Sequence, residues 1–148
     1  MPWLLRRVNQ HYRNAIRSKL TEGGLGDLPQ PGYWALTALA KGAHDASHLM
    51  IEMGVTKQAV SKLVDTLVTA GFVERRSNQA DRRRSDLLLT TRGRKAVSII
   101  ESAVKITERR LIAEVGARTF SQLRQALEEV ASSTTNAPHH RDDTRGIP

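Results

Sequence analysis

Apolar residues recur at every fourth position from Leu4 through Val8, Tyr12, Ile16 and Leu20, with Leu5 and Ala15 beside them. That period predicts an amphipathic helix over 3–21, and Pro2 is tolerated at a first helical position. Arg6, Arg13, Arg17 and Lys19 fall mostly on other faces. The stretch Glu22-Gly23-Gly24-Leu25-Gly26-Asp27 ends the helix. Its glycines are not a phosphate loop, because no strand precedes them and no Gly-Lys-Ser/Thr follows. Pro29 and Pro31 mark the entry to a second helix that runs to about Lys41, with Tyr33, Leu36 and Leu39 on one side.

Gly42 breaks that helix, and Asp45 or Ser47 can cap a short third one over 46–53, where Leu49, Met50 and Met53 are apolar. Gly54 supplies the positive φ of a tight turn. Thr56 then caps a fourth helix, 57–70, whose apolar stripe is Val60, Leu63, Val64 and Leu67. Helix, short glycine turn, helix is the signature of a helix-turn-helix. Phe72 to Arg76 and Asp86 to Thr90 read as short strands flanking the polar stretch Ser77 to Ser85. A hairpin in that place is a wing. Thr90 or Thr91 caps a long helix, about 92–115, carrying Val97, Ile100, Val104, Leu111 and Ile112. Gly116 interrupts it, and 118–131 continues with Phe120, Leu123, Leu127 and Val130. Residues 132–148 hold little apolar content and are expected to be disordered. There is no internal repeat.

Length adds that one domain is enough for 148 residues and 16.4 kDa. Aromatics are only 4%, so aliphatic side chains and alanine must build the core. The absence of cysteine excludes disulfides, thiolate metal sites and thiol redox switching. No apolar run approaches the roughly 18 residues of a membrane span, and the N-terminus turns charged at Arg6-Arg7. A cytoplasmic location is the expectation.

Charge changes the picture most. The net charge is +8, which favours polyanionic partners. Residues 41–95 hold eleven basic side chains against six acidic, whereas 96–130 hold five of each. The excess is densest in 75–95, on the proposed wing and its flanks.

The most specific stretch runs from Gly54-Val55-Thr56-Lys57-Gln58-Ala59-Val60-Ser61-Lys62 to Leu67, with Gly71-Phe72-Val73-Glu74-Arg75 after it. Asp81-Arg82-Arg83 follows, then Leu89-Thr90 and Gly93-Arg94. Together these resemble the MarR (multiple antibiotic resistance regulator) family of winged-helix transcription factors, over about 1–131. Asp86 departs from the pattern, since the family usually has an apolar residue there, and a shortened or frayed return strand is expected. The resemblance implies a mainly α fold with a small β-hairpin wing. The winged helix-turn-helix core would occupy about 29–91, and helices at about 3–21 and 92–131 would dimerise. The apolar stripes of those terminal helices agree, because a two-fold interface would cover them. A dimer would carry a charge of about +16 and match a two-fold DNA site.

Thr56, Lys57, Gln58, Ser61 and Lys62 occupy the N-terminal end and outer face of helix 57–70, the part of a recognition helix that meets base edges. Gln58 can read adenine through two hydrogen bonds, and a lysine can read guanine or hold phosphate. Arg82, Arg83 and Arg84 lie at the proposed wing tip, where a narrow minor groove attracts arginine. By resemblance Arg83 inserts, and Asp81 orients it. Arg75, Arg76, Arg92 and Arg94 are phosphate contacts or solvated charges.

The resemblance also implies a small aromatic or phenolic effector, bound between the dimer helices and the winged domain. Trp3, His11, Tyr12, Tyr33 and Trp34 are candidates to line its pocket, although Tyr12 and Tyr33 equally suit core or interface packing. His44 and His48 stand four apart, a spacing that can present two imidazoles to one metal. No metal-enzyme motif surrounds them, so solvated or capping histidines are the expectation, and His139 and His140 fall in the tail. No cofactor is expected. No nucleophile elbow, Walker loop, Rossmann fingerprint or carboxylate cluster points to an enzyme. The reading is a ligand-responsive repressor that binds a pseudo-palindromic operator as a homodimer. The competing readings are an architectural DNA binder and a winged-helix protein-interaction module.

Overall fold

Capping residues set the observed element order. The structure, a computed structural model, describes residues 1–77 and 85–135. Its described residues form helices α1 (Pro2–Glu22), α2 (Gln30–Ala40), α3 (Ala46–Met53) and α4 (Lys57–Thr69), strands β1 (Val73–Ser77) and β2 (Ser85–Leu89), and helices α5 (Thr91–Val115) and α6 (Ala117–Thr135). Asp45 caps α3 by accepting the His48 N–H at 2.9 Å. Thr56 Oγ1 caps α4 by accepting from Ala59 N at 3.3 Å. Between the two helices Gly54 takes φ 61°, a left-handed turn that costs glycine little.

The chain divides into two compact units, Met1–Thr107 and Glu108–Pro148. In the first, the core gathers under the helix-turn-helix. Leu20, Leu36, Leu49, Val60, Leu67 and Phe72 are fully buried there. Each such large side chain stabilises the fold by about 1.5–3 kcal/mol through area removed from water. The expected stripe on α4 is buried at Val60, Val64 and Leu67, with Leu63 packed beside it. On α1 only Ile16 and Leu20 are buried, while Trp3, Leu4, Leu5 and Val8 are exposed. The core closes against α5 through Ala96, Val97, Ile100 and Ala103.

The two strands pair antiparallel, Val73 opposite Leu89 and Ser77 opposite Ser85. Asp86 does not shorten the return strand. It lies within β2 opposite Arg76, and opposite charges at facing positions are compatible with a ladder. Thr90 lies just past β2, freed for a capping role.

In the second unit, α6 has no buried residue among those described. Arg124 pairs with Glu108 at 2.9 Å, and its guanidinium lies 5.8 Å from the Phe120 ring. Leu123, Leu127 and Val130 are exposed. The helix runs four residues past the expected boundary at 131, and the Ser132 and Ser133 hydroxyls donate to the carbonyls of Glu128 and Glu129. The rest of the expected tail, with His139 and His140, lies outside the described residues. No described helix is long and apolar enough to cross a membrane.

Candidate nucleic-acid interface

Helix α4 is amphipathic, so burying Val60, Val64 and Leu67 turns Lys57, Gln58, Ser61 and Lys62 outward. All four are exposed, and among the described residues none spends its side chain on a hydrogen bond or ion pair. Thr56 is exposed too, but its hydroxyl is committed to the cap. The free first-turn N–H groups and the dipole add a positive end beside them. Four polar side chains therefore stand available at one helix end, two of them cationic.

The wing tip residues Asp81, Arg82, Arg83 and Arg84 lie outside the described residues. The wing base is described, and it reassigns three of the four arginines beside it. Arg75 reaches from β1 to Asp65 on α4 with a 2.6 Å contact, tying the strand to that helix. Arg76, 70% exposed, lies 3.6 Å from Glu74. Arg92 is a clamp. Its Nη1 donates to the Ala70 carbonyl at the end of α4, and its Nη2 meets both Asp27 oxygens at 2.7 and 2.8 Å. The same guanidinium sits 4.4 Å from the centroid of the buried Phe72 ring. Arg94 donates to the Leu89 carbonyl at 2.6 Å and to Thr91 Oγ1 at 3.2 Å. Arg75, Arg92 and Arg94 are thus engaged within the chain instead of standing as free phosphate contacts.

Thr90 completes the junction. Its hydroxyl donates toward the Gly71 carbonyl at 2.6 Å and accepts the Gly93 N–H at 3.0 Å, which caps α5. Gly93 is where two backbones meet, because a Cβ there would stand 2.1 Å from the Phe72 carbonyl oxygen. The Leu-Thr and Gly-Arg pairs of the sequence signature are therefore the joint between α4, the wing and α5. Sequence reasoning had the spacing but missed the joint.

The aromatic candidates for an effector pocket disperse. Tyr33 is 5% exposed within the core, and burial raises its pKa, opposed by the charge of Arg17. Trp3 and His11 are exposed on α1, and Tyr12 is half-buried. Trp34 alone of the five lines a cavity of about 560 Å³. Arg13, Gln30, Thr37, Lys41 and Glu52 bring polar groups to the same walls. The Nε of Arg13 is buried without a hydrogen-bond partner among the described residues.

Comparisons with known proteins agree with this architecture. The MarR family model matches residues 27–84. The chain is 31% identical over 80 residues to the HTH-type transcriptional regulator PetP of Rhodobacter capsulatus. That match covers 54% of this chain and 48% of PetP, so the chain spans about half the length of this curated relative. The reduced form of MarR from E. coli superposes with a TM-score of 0.70 at 23% identity, covering 88% of this chain and 95% of that one. The Mycobacterium tuberculosis MarR family protein Rv2887, solved in complex with salicylic acid, gives 0.63 at 27% identity, covering 88% and 95%. In its helix-turn-helix, its wing and this sequence match over residues 27–84, the chain is similar to the MarR family and shares its fold.

Proposed function

We propose that this chain is a sequence-specific DNA-binding transcriptional regulator, a cytoplasmic homodimer that represses by occupying a pseudo-palindromic operator. It acts by binding and not by catalysis. The observation that carries the reading is the exposed, unspent end of α4, with Lys57, Gln58, Ser61 and Lys62 turned away from a helix that is otherwise anchored on three sides. A recognition helix must be rigid in its seat and free on its outer face. The wing residues Asp81, Arg82, Arg83 and Arg84 would extend the contact into the flanking minor groove. Residues 1–131 act as one MarR-like domain in this reading, with α1, α5 and α6 supplying the dimer interface.

The cavity beside Trp34 supports an effector site. Arg13 and Lys41 line it, and a buried guanidinium N–H without a partner is a costly group, about 1–3 kcal/mol, that an anion would satisfy. An aromatic carboxylate has the flat ring for Trp34 and the charge for Arg13. Rv2887 with salicylic acid is a relative that holds such a molecule.

Selection of bound duplexes from a random-sequence library tests the function. The expected result is an inverted repeat with half-sites about one helical turn apart. In the Gln58→Ala variant one position per half-site should lose its preference, by about 1–3 kcal/mol. Salt-sensitive binding with no enriched sequence would overturn specific regulation and leave an architectural DNA binder.

A further inference from the structure

His44, Asp45 and His48 cluster where α3 begins, and each offers a ligand atom within 4.8 Å of the others. The rings of His44 and His48 lie 4.2 Å apart, centroid to centroid, tilted by 40°. Both histidines are exposed at the surface, while Asp45 is 6% exposed. The hydrogen bonds around the rings carry the argument. His48 Nδ1 lies 2.8 Å from Asp45 Oδ1, and His44 Nδ1 faces the Gly42 carbonyl at 3.4 Å. An Nδ1 set against an oxygen acceptor is placed to carry the proton, and Nε2 of that tautomer keeps its lone pair. Metal-ligating histidines take this arrangement, the far nitrogen donating to a carboxylate or a backbone carbonyl. Two rings in contact, one of them with Nδ1 held against a carboxylate, are a candidate pair of nitrogen ligands.

We propose that His44 and His48 bind one divalent cation of the zinc class through their Nε2 atoms, with Asp45 as the positioning residue for His48. Imidazole nitrogen suits zinc, copper and nickel and does not suit magnesium or calcium. A tetrahedral ion with bonds of about 2.0–2.1 Å needs its nitrogens close together, and the two rings are already in contact. Water completes the coordination. The site also has a structural reach, because the His44 carbonyl accepts from Leu87 N of β2 at 2.7 Å. An ion there would fasten the entry of the helix-turn-helix where it already touches the wing.

The test is calorimetric titration of the full-length chain, free of any affinity tag, with zinc chloride. One ion per chain is expected. His44→Ala and His48→Ala should each weaken binding at least tenfold. Asp45→Asn should weaken it 10- to 100-fold, the usual effect of losing such a carboxylate, while its amide oxygen still caps α3 and the melting curve without zinc stays in place. The double variant His139→Ala/His140→Ala should bind as the unaltered chain does. No binding by the unaltered chain, undiminished binding by the His44 and His48 variants, or loss of binding with the tail histidines would each overturn the site.

Discussion

The junction of α4, β1 and α5 and the outer ends of the terminal helices use opposite currencies of interaction. At the junction the polar groups are spent inside the chain: Arg92 on Ala70, Asp27 and Phe72, Thr90 on Gly71 and Gly93, Arg75 on Asp65. On the terminal helices large apolar side chains stand at the surface, with Leu4 45% and Leu123 49% exposed. Helix α6 has 19 residues and buries none among those described, whereas α4 buries three with 13. An isolated helix of that length is marginal in water, and most helix stability comes from packing one apolar face. The junction is held together within the chain; the terminal helices carry the apolar faces that the proposed dimer would cover.

The sharpest way to break this contrast is Gly93→Ala. The new methyl would meet the Phe72 backbone oxygen, which cannot swing aside. A loss of about 3 kcal/mol, the upper end of overpacking costs, is expected in chemical denaturation followed by circular dichroism. A variant with the original midpoint would mean that the junction is looser than described. Arg92→Ala comes next. It removes the clamp from Ala70 and Asp27, but Arg92 is 38% exposed, so solvent screening keeps the loss near 1–2 kcal/mol. If urea titration shows no change, Arg92 is a free charge after all. The smallest effect on the core should come from Leu123→Glu/Leu127→Glu on α6. In the proposed dimer, light scattering should then report half the mass, and the loss of helical content should be confined to α6. Persistence of the dimer would place the interface elsewhere.

Much of the fold was legible in the sequence because caps and breakers are local. Asp45, Thr56, Gly54 and Gly71 fix their helix ends through bonds or dihedrals within a few residues, and the observed bounds of α3 and α4 fall within one residue of the expected ones. The outer face of α4 followed from its stripe. The arginines did not, because a guanidinium in a sequence looks the same whether its partner is a phosphate or a carbonyl. The partner of Arg92 at Asp27 is 65 residues away. Of the adjacent Tyr33 and Trp34 only Trp34 lines the cavity, for a geometric reason. Tyr33 and Trp34 are adjacent in a helix, so about 100° separates them and only one can face a given space. Arg13 gave no cue in a helix already rich in basic residues.

Within the first unit, helix α5 runs from Thr91 to Thr107. That stretch makes a rod about 25 Å long. The rod is clamped at one end, since Thr90, Arg92 and Gly93 fuse it to the recognition helix and wing. It is therefore a lever arm. A tilt of about 10° at the fixed end sweeps the far end through about 4 Å, a third of the width of a major groove. In the proposed dimer, mechanical advantage of that kind would let a small rotation at the seam set whether the two copies of α4 land in register on one duplex.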